Sequence, residues 1–280
     1  MNSTTMPRKS RQEDAKSKQV AAPSRPLLLK AAGAITLVVI LVSWTIATWG
    51  QDDLGYEVLP APTAVIQALG QWSADGYGGS TLLESLGVST WRMIVGWVLA
   101  VGLGTVLGIA MGMIPLVNQV ANPWFQFYRA LPPLGYISLL VLWFGVGEPS
   151  KIILLVLTGL PPVIVAVSSA VGGIRRERID GARTLGVSGW KLYRFVVFPS
   201  ILPALLTSAR VAMGFVIASL IGAEMIAANS GIAWTILRAN NRGDVATSIA
   251  GILIMSALAI CADVALRQFQ RRLTPWVGKS

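Results

Sequence analysis

The sequence contains no histidine and only one cysteine, Cys261, among its 280 residues. The lack of histidine argues against zinc chemistry and against a nucleophile that is activated by histidine. A single cysteine cannot build a disulfide or a metal framework within one chain. We therefore expect no catalytic residue, no metal site and no cofactor-binding site, and these absences disfavour a membrane enzyme.

Charged residues are also scarce. They make up 13% of the chain, whereas apolar residues make up 54%. A soluble globular domain carries about 25% charged residues. The composition therefore indicates a protein that lies in a lipid membrane.

Acidic residues are outnumbered by basic ones, 13 to 23, which gives a net charge of +10. Such a charge can indicate nucleic-acid binding, but its distribution argues against that partner. Basic residues concentrate in the N-terminal tail, in a central polar stretch and at the C-terminus, whereas residues 50–80 have none. Because cytoplasmic loops of membrane proteins are enriched in Lys and Arg, we expect both termini and the central stretch to be cytoplasmic.

Long apolar runs predict an all-α integral membrane protein with six transmembrane helices. Residues 27–50 are expected to form the first helix, with a cleaved signal peptide as the alternative. The apolar run is long for a signal peptide, which favours a retained helix. The other five helices are predicted near residues 81–113, 132–145, 152–173, 200–227 and 245–266.

Glycine and proline positions add expectations about these helices. Gly104, Gly108 and Gly112 recur every four residues, a spacing that lets helices approach closely in lipid. Prolines and asparagines in residues 115–123 predict a cytoplasmic turn. Arg129 follows, and we expect it near the inner membrane interface.

The central polar stretch, residues 174–199, has the pattern of two short helices. Apolar residues recur at three- and four-residue steps up to Leu185, which predicts an amphipathic helix. Gly186 supplies its C-terminal stop, and Ser188 can cap a second helix. An ordinary basic loop would not need this order, whereas an element that docks into another protein would.

This stretch resembles the "EAA" loop of ABC-transporter permeases, which reads Glu-Ala-Ala, three residues, Gly, nine residues, Ile, one residue and Leu-Pro. The matching residues here are Asp180, Gly181, Ala182, Gly186, Val196, Phe198 and Pro199. Gly181 in place of alanine is the main departure, and it lowers helix propensity by roughly 1 kcal/mol. The resemblance implies that these seven residues belong to the loop that couples the chain to an ATPase.

Other stretches resemble the nitrate, sulfonate, taurine and bicarbonate branch of ABC permeases. They include LPAPTAV, YRALPP, LWFGVGEPSKI and AEMIAANSGIAWTI, and together they cover most of residues 59–276. The resemblance implies a type I importer permease. Its five-helix core would lie at residues 81–273, preceded by a disordered tail (1–26), the first helix and a periplasmic connector (51–80), and followed by a cytoplasmic tail (274–280).

The implied function is ATP-driven import across the bacterial inner membrane, with taurine or a related sulfonate as solute. The implied partners are a second copy of the chain, two ABC ATPase subunits, a periplasmic or lipid-anchored binding protein, and membrane lipid. The alternatives are import of nitrate, bicarbonate or another small solute, or a scaffold that does not transport. A scaffold would have no need of proline-rich third and fourth helices.

The chain itself lacks a recognisable ATP site. Its one Gly-Lys-Ser string ends at Ser280, and Leu273 stands where a P-loop requires its first glycine. ATP hydrolysis is therefore assigned to partner subunits.

Three residues are candidates for a gate or the pathway: Glu224, Pro132 and Pro133. An ionisable residue in a membrane helix is a functional candidate by default. We expect Glu224 near the outer end of its helix, paired with Arg238 or Arg242. Arg92 and Arg210 are interpreted as interfacial residues whose charged ends reach water, and Asp263 is predicted to pair with Arg267 one turn later.

Overall fold

The computed structural model describes residues 26–48 and 59–274. The chain divides into two units, residues 1–51 and 52–280, which are described separately. The predictions for the tails at residues 1–25 and 275–280, and for residues 51–58 of the connector after the first helix, lie outside the described residues.

The first unit contributes one helix, α1 (Pro26–Ala47), at the position predicted for the first transmembrane helix. Its 22 residues rise about 33 Å at 1.5 Å per residue, which is enough to cross a bilayer. That it crosses one stays a prediction.

The second unit begins with α2 (Pro62–Ala74), a short helix that buries Val65, Ala68 and Trp72. A glycine-rich turn leads to α3 (Leu82–Met113). Thr81 starts α3 with a capping box. Its hydroxyl accepts from the Glu84 amide at 3.3 Å, and its own amide donates to the Glu84 carboxylate at 2.8 Å. Two otherwise unsatisfied donors are paired in this way, which fixes the start of α3.

The turn predicted at residues 115–123 is wrong, because these residues begin a helix, α4 (Pro115–Ala130). Pro115 occupies the start of α4, where a missing N–H breaks no hydrogen bond. Pro123 lies inside the helix, which tolerates this single interruption.

The third predicted helix is shorter than expected. A 3₁₀ turn (Pro133–Gly135) precedes α5 (Ile137–Phe144), and Gly145 ends α5 with φ of +79°. Leu131 and Pro132 each precede a proline, and both are extended, with ψ of 129° and 126°. A residue before proline avoids the helical region, so the Pro-Pro pair delays the helix.

Six further helices follow in the described residues, and the three long ones exceed their predicted lengths. The six are α6 (Glu148–Gly172), α7 (Arg176–Thr184), α8 (Gly189–Leu192), α9 (Phe198–Ala227), α10 (Ile232–Asn241) and α11 (Val245–Leu273). A π-helical turn, Tyr193–Val197, joins α8 to α9. The second short helix of the central stretch is thus the start of the next long helix and not a separate element.

Four helical segments of the described chain are long and apolar enough to cross a membrane: Leu82–Met113, Glu148–Gly172, Gly189–Ala227 and Val245–Leu273. Among the described residues the structure is helical except for turns and one isolated bridge between Tyr77 and Ser80. The predicted all-α membrane fold is confirmed.

Small residues on α3 set its packing against α6. A Cβ on Gly104 would lie 2.8 Å from the Cβ of Val163, and one on Gly108 would lie 2.9 Å from that of Val167. These approaches confirm the predicted role of the glycine spacing. Gly96 meets Leu155 and Gly112 meets Val171 at the same interval along the chain, so α3 and α6 run in the same direction.

Two parallel spanning helices require the chain between them to return across the membrane. The helices α4 and α5 supply that return, with 16 and 8 residues, which rise about 24 Å and 12 Å. The second unit therefore contains four helical segments long enough to span, which include α3, α6, α9 and α11, and a broken return segment, the α4–α5 pair. This is the five-helix core of the predicted fold.

Contacts between α9 and its neighbours define two ends of this core. Glu224, late in α9, bonds to Arg92 beside the first residue of α6, Glu148, and we call this the network end. Thr207, early in α9, accepts from Gln270, late in α11. We call this second end, which also carries α7 and its arginines, the basic end.

Candidate functional site

The polar stretch at the basic end folds as a helix and a reversal. The amide of Gly186 donates to the Arg183 carbonyl at 2.9 Å, and the amide of Val187 donates to the Ala182 carbonyl at 3.0 Å. These bonds satisfy the last carbonyls of α7. Gly186 has φ of +80°, in the left-handed region, as its predicted role as a helix stop requires. Ser188 stands at the start of α8, but its side chain makes no capping bond.

The seven motif residues lie on both sides of this reversal. Asp180, Gly181 and Ala182 are on α7, Val196 is in the π turn, and Phe198 and Pro199 begin α9. The Arg178 guanidinium donates to the Ser200 hydroxyl at 3.3 Å and so links α7 to α9. A cavity of about 350 Å³ lies at this junction, lined by Arg178, Phe195, Val196, Pro199 and Ser200.

Large apolar side chains are exposed on this otherwise polar element. Leu185 is 83% exposed, Trp190 74% and Phe195 67%. Asp180 and Arg183 form only a loose, exposed ion pair at 3.5 Å. Exposed apolar residues beside polar ones are typical of a protein-binding surface.

The network end is built around Glu224, which is 0% exposed. Its carboxylate accepts from the Ser89 hydroxyl at 2.7 Å, from the Arg92 guanidinium at 2.9 Å and from the Ala233 amide at 3.0 Å. The last donor belongs to the first turn of α10, where backbone N–H groups point outward and favour a negative charge. Together the three donors give both carboxylate oxygens a hydrogen-bond partner.

The turn before α10 is shaped by this carboxylate. Gly231 has φ of +117°, and a Cβ there would lie 2.5 Å from the Glu224 carboxyl carbon. Glycine is thus required both by the backbone conformation and by the space available. The Ile232 amide donates to the Ser89 hydroxyl at 2.9 Å, which holds the start of α10 against α3.

Arg92 was predicted to be interfacial, and this is wrong, because it is 1% exposed. Its guanidinium donates to both oxygens of Glu148 at 2.6 and 2.8 Å, and to the Ser230 carbonyl at 2.7 Å. Lys151 also donates to Glu148, at 2.8 Å. Arg92 therefore connects α3, α6, α9 and the turn before α10.

The predicted partners of Glu224 are also wrong. Arg238 lies over the Trp234 ring at 5.1 Å and donates to the Gly78 carbonyl, and Arg242 lies over the Tyr77 ring at 5.6 Å. These contacts attach α10 and Arg242, the residue after it, to the turn before α3. Burial, followed by the charge of Asp244, raises the pKa of the Tyr77 phenol above its ordinary value.

Arg210 and Asp263 form an ion pair between α9 and α11. The Arg210 guanidinium donates twice to one Asp263 oxygen, at 2.7 and 3.1 Å, and the other oxygen accepts from Arg267 at 2.7 Å. The predicted pair with Arg267 is confirmed. Arg210 has a cross-helix partner that the interfacial interpretation missed.

Two cavities adjoin the middle and the basic half of α6. The first, of about 410 Å³, lies between α4, the Pro-Pro turn and α6, and is mostly apolar and aromatic. Its lining includes Tyr128, Arg129, Pro133, Tyr136, Pro161 and Phe215. The second, of about 350 Å³, is more polar and includes Asn118, Asn122, Gln126, Arg129, Ser168 and Ser169.

The three predicted gate or pathway residues are therefore separated. Pro133 lines the first cavity, Pro132 is outside the described lining, and Glu224 is buried at the network end. Sequence reasoning missed Arg92 and Ser89 as partners of Glu224, and Glu148 as a second partner of Arg92. The available signal was an arginine inside the apolar run of α3, which requires a buried counter-charge.

A hydrogen bond across this region explains how α6 tolerates its prolines. Pro161 has no N–H, so the Leu157 carbonyl one turn earlier loses its helical donor. The Tyr128 hydroxyl of α4 donates to that carbonyl. A neighbouring side chain thus satisfies the group that the proline frees, as the interior of a membrane requires.

Comparison with known proteins identifies the architecture. Residues 100–275 match the family described as "Binding-protein-dependent transport system inner membrane component". The chain belongs to this family of membrane permeases. The match spans the core from the middle of α3 to the end of α11.

Relatives place this permease within a branch of the family. It is 36% identical to the taurine transport system permease protein TauC of Escherichia coli over 87% of this chain and 89% of that protein. It is 31% identical to the aliphatic sulfonates transport permease protein SsuC of Escherichia coli, over 92% and 96%. It is 26% identical to the nitrate import permease protein NrtB of Leptolyngbya laminosa, over 86% and 87%. The predicted family resemblance is confirmed.

The fold agrees with a solved transporter. A chain of the MetNI methionine ABC transporter, in an inward-facing form, matches with a TM-score of 0.55. The identity is 17%, and the alignment covers 66% of this permease and 94% of that chain. This match supports the type I permease fold of the core.

Proposed function

We propose that this permease is the membrane subunit of an ATP-driven importer for taurine or a related small sulfonate. The proposed solute class rests on the 36% identity to a taurine permease along most of both chains. The 31% identity to a sulfonate permease supports the same class. Two copies would form the pathway, with two ATPase subunits on the cytoplasmic side and a binding protein outside.

The basic end is the proposed ATPase contact. The reversal at Gly186 presents α7 and the exposed Leu185 and Trp190 side chains away from the membrane core. The bond between Arg178 and Ser200 joins α7 to the helix that runs through the core to Glu224. A displacement of α7 can therefore reach the network end through α9.

The network end is the proposed contact with the binding protein. It combines a buried charge network with a half-exposed carboxylate, Glu148, whose side chain is 49% exposed. Arginines are concentrated at the basic end, so by the positive-inside rule we expect the network end to lie outside the cell. Both termini would then be cytoplasmic.

Import of nitrate is the second candidate, favoured by the identity to a nitrate permease over 86% of this chain. A competition experiment separates the two. Cells that lack other taurine uptake would express the permease with its ATPase and binding protein, and initial uptake of radiolabelled taurine would be measured. Excess unlabelled taurine or an alkanesulfonate should block uptake while nitrate should not. Absence of taurine uptake together with nitrate uptake would replace the sulfonate assignment.

A further inference from the structure

We propose that Arg129 coordinates the negatively charged group of the solute inside the membrane. This inference rests on the proposed import of a small anionic solute. It assigns the recognition to one side chain in the cavities beside α6.

The depth of Arg129 is the first observation. Its neighbour Tyr128 donates to the carbonyl of Leu157, which lies near the middle of α6 (Glu148–Gly172). Arg129 follows Tyr128 in α4, and it also lines the cavity that extends to Gly172 at the basic end of α6. That it lies near the inner interface stays a prediction, and an ionisable side chain on a membrane helix is costly and functional by default.

The position of Arg129 between the two cavities is the second observation. It lines both the aromatic cavity of about 410 Å³ and the polar cavity of about 350 Å³. It is the only charged residue in either described lining. A solute that moves from one cavity to the other would pass its guanidinium.

The third observation is the lack of a counter-charge. Among the described residues no carboxylate forms an ion pair with Arg129, whereas Arg92 pairs with two carboxylates and Arg210 with one. The recorded contact of Arg129 is with the Phe125 ring, at 6.0 Å. The guanidinium therefore keeps its hydrogen-bond donors available, and their planar fork fits two oxygens of a sulfonate.

The lining around Arg129 suits the rest of such a solute. Tyr128, Tyr136 and Phe215 surround the first cavity with aromatic rings, while Asn118, Asn122 and Gln126 give the second cavity polar groups. No other charged group in these linings competes for the anion. A single fixed cation in neutral surroundings attracts an anion. No second cation is present in these linings to bind the anion more tightly and keep it in the cavity.

Charge variants in the complete transporter test this role. Arg129→Gln, Arg129→Lys and the control Arg271→Gln would be reconstituted with the ATPase and binding protein, and taurine uptake and ATP hydrolysis measured together. Loss of a charge-assisted hydrogen bond corresponds to about a ten- to hundredfold loss of uptake in Arg129→Gln. Arg129→Lys should retain more uptake than Arg129→Gln, and Arg271→Gln should resemble wild type.

Chemical restoration of the charge gives a second readout. Arg129→Cys in a Cys261→Ser background would be treated with aminoethyl methanethiosulfonate, which adds a cation, or methyl methanethiosulfonate, which adds a neutral group. Uptake should recover with the cationic reagent only. Equal uptake after both treatments, or full uptake by Arg129→Gln, overturns the role of Arg129. A wild-type transporter that takes up neither taurine nor an alkanesulfonate instead overturns the proposed function.

Discussion

Glu224 shows how a charge can lie fully buried in a membrane protein. Three donors surround its carboxylate, and Arg92 supplies the counter-charge at 2.9 Å. Removing one member of a buried pair typically costs about 3–5 kcal/mol, because the other member remains charged and unpaired. Substitutions of the two partners should therefore differ in their effect on stability. Without Glu224, Arg92 still pairs with Glu148, whereas without Arg92, Glu224 has no cation left.

Substitution of Glu224 should therefore lower stability. Glu224→Ala should reduce the free energy of unfolding by about 3 kcal/mol and lower the melting temperature in detergent. Glu224→Gln should have a smaller effect, because an amide oxygen can still accept from Ser89 and Ala233. The control is Asp263→Asn in the partly exposed pair with Arg210. An equal melting temperature for Glu224→Ala and wild type would contradict a structural role for the network.

At the scale of elements, the glycine face of α3 allows a sharp comparison. Gly102 and Gly108 lie on the same helix, but a Cβ on Gly102 would meet nothing within 4 Å, and one on Gly108 would meet Val167 at 2.9 Å. Gly108→Ala should destabilise the core by about 1–3 kcal/mol through overpacking. Gly102→Ala should be neutral or stabilising, because alanine favours the helix. Thermal unfolding in detergent measures both, and equal shifts would contradict the close packing of α3 on α6.

The reversal at Gly186 tests the coupling element. Gly186→Val forces a β-branched residue into the left-handed region, at a cost of roughly 1 kcal/mol or more, and should misdirect α8. Gly102→Ala is the control, because Gly102 lies within α3, outside this stretch, with open space around it. Gly186→Val should reach normal abundance but lose uptake and co-purification of the ATPase. Full uptake with full ATPase binding would show that this stretch does not couple the subunits.

A second variant, in α7, tests whether charge contributes to ATPase binding. Asp180→Lys removes the exposed pair with Arg183 and adds a cation to a basic surface. Little change in stability is expected, since exposed pairs contribute about 0–1 kcal/mol. Co-purification of the ATPase should fall. Retained ATPase binding together with wild-type uptake would assign Asp180 no part in the contact.

Much of the element order could be predicted from the sequence. Apolar runs predicted α3, α9 and α11, and the glycine at residue 186 predicted the end of α7. The helix α4 was predicted as a turn, because prolines at helix starts and inside membrane helices resemble those in turns. The network end was also beyond sequence reasoning, since Ser89, Glu148 and Glu224 are distant in the chain and meet only in the folded core.

At the scale of the whole molecule, the orientation of the chain in the membrane is a prediction that remains to be tested. The parallel course of α3 and α6, together with the basic end, supports cytoplasmic termini. Single cysteines at Asp75 and Thr184, both exposed, would be labelled in a Cys261→Ser background. An impermeant reagent added to intact cells should label Asp75→Cys and not Thr184→Cys. Labelling of Thr184→Cys and not of Asp75→Cys would show that the chain has the opposite orientation.

The most direct test of the permease assignment is reconstitution in liposomes. Radiolabelled taurine uptake would be measured with the permease alone, with the permease and its ATPase, and with both plus the binding protein. We predict ATP-dependent accumulation in the complete system only, and no ATP hydrolysis by the permease alone. Accumulation or hydrolysis by the isolated permease would contradict its assignment as the membrane subunit of a binding-protein-dependent importer.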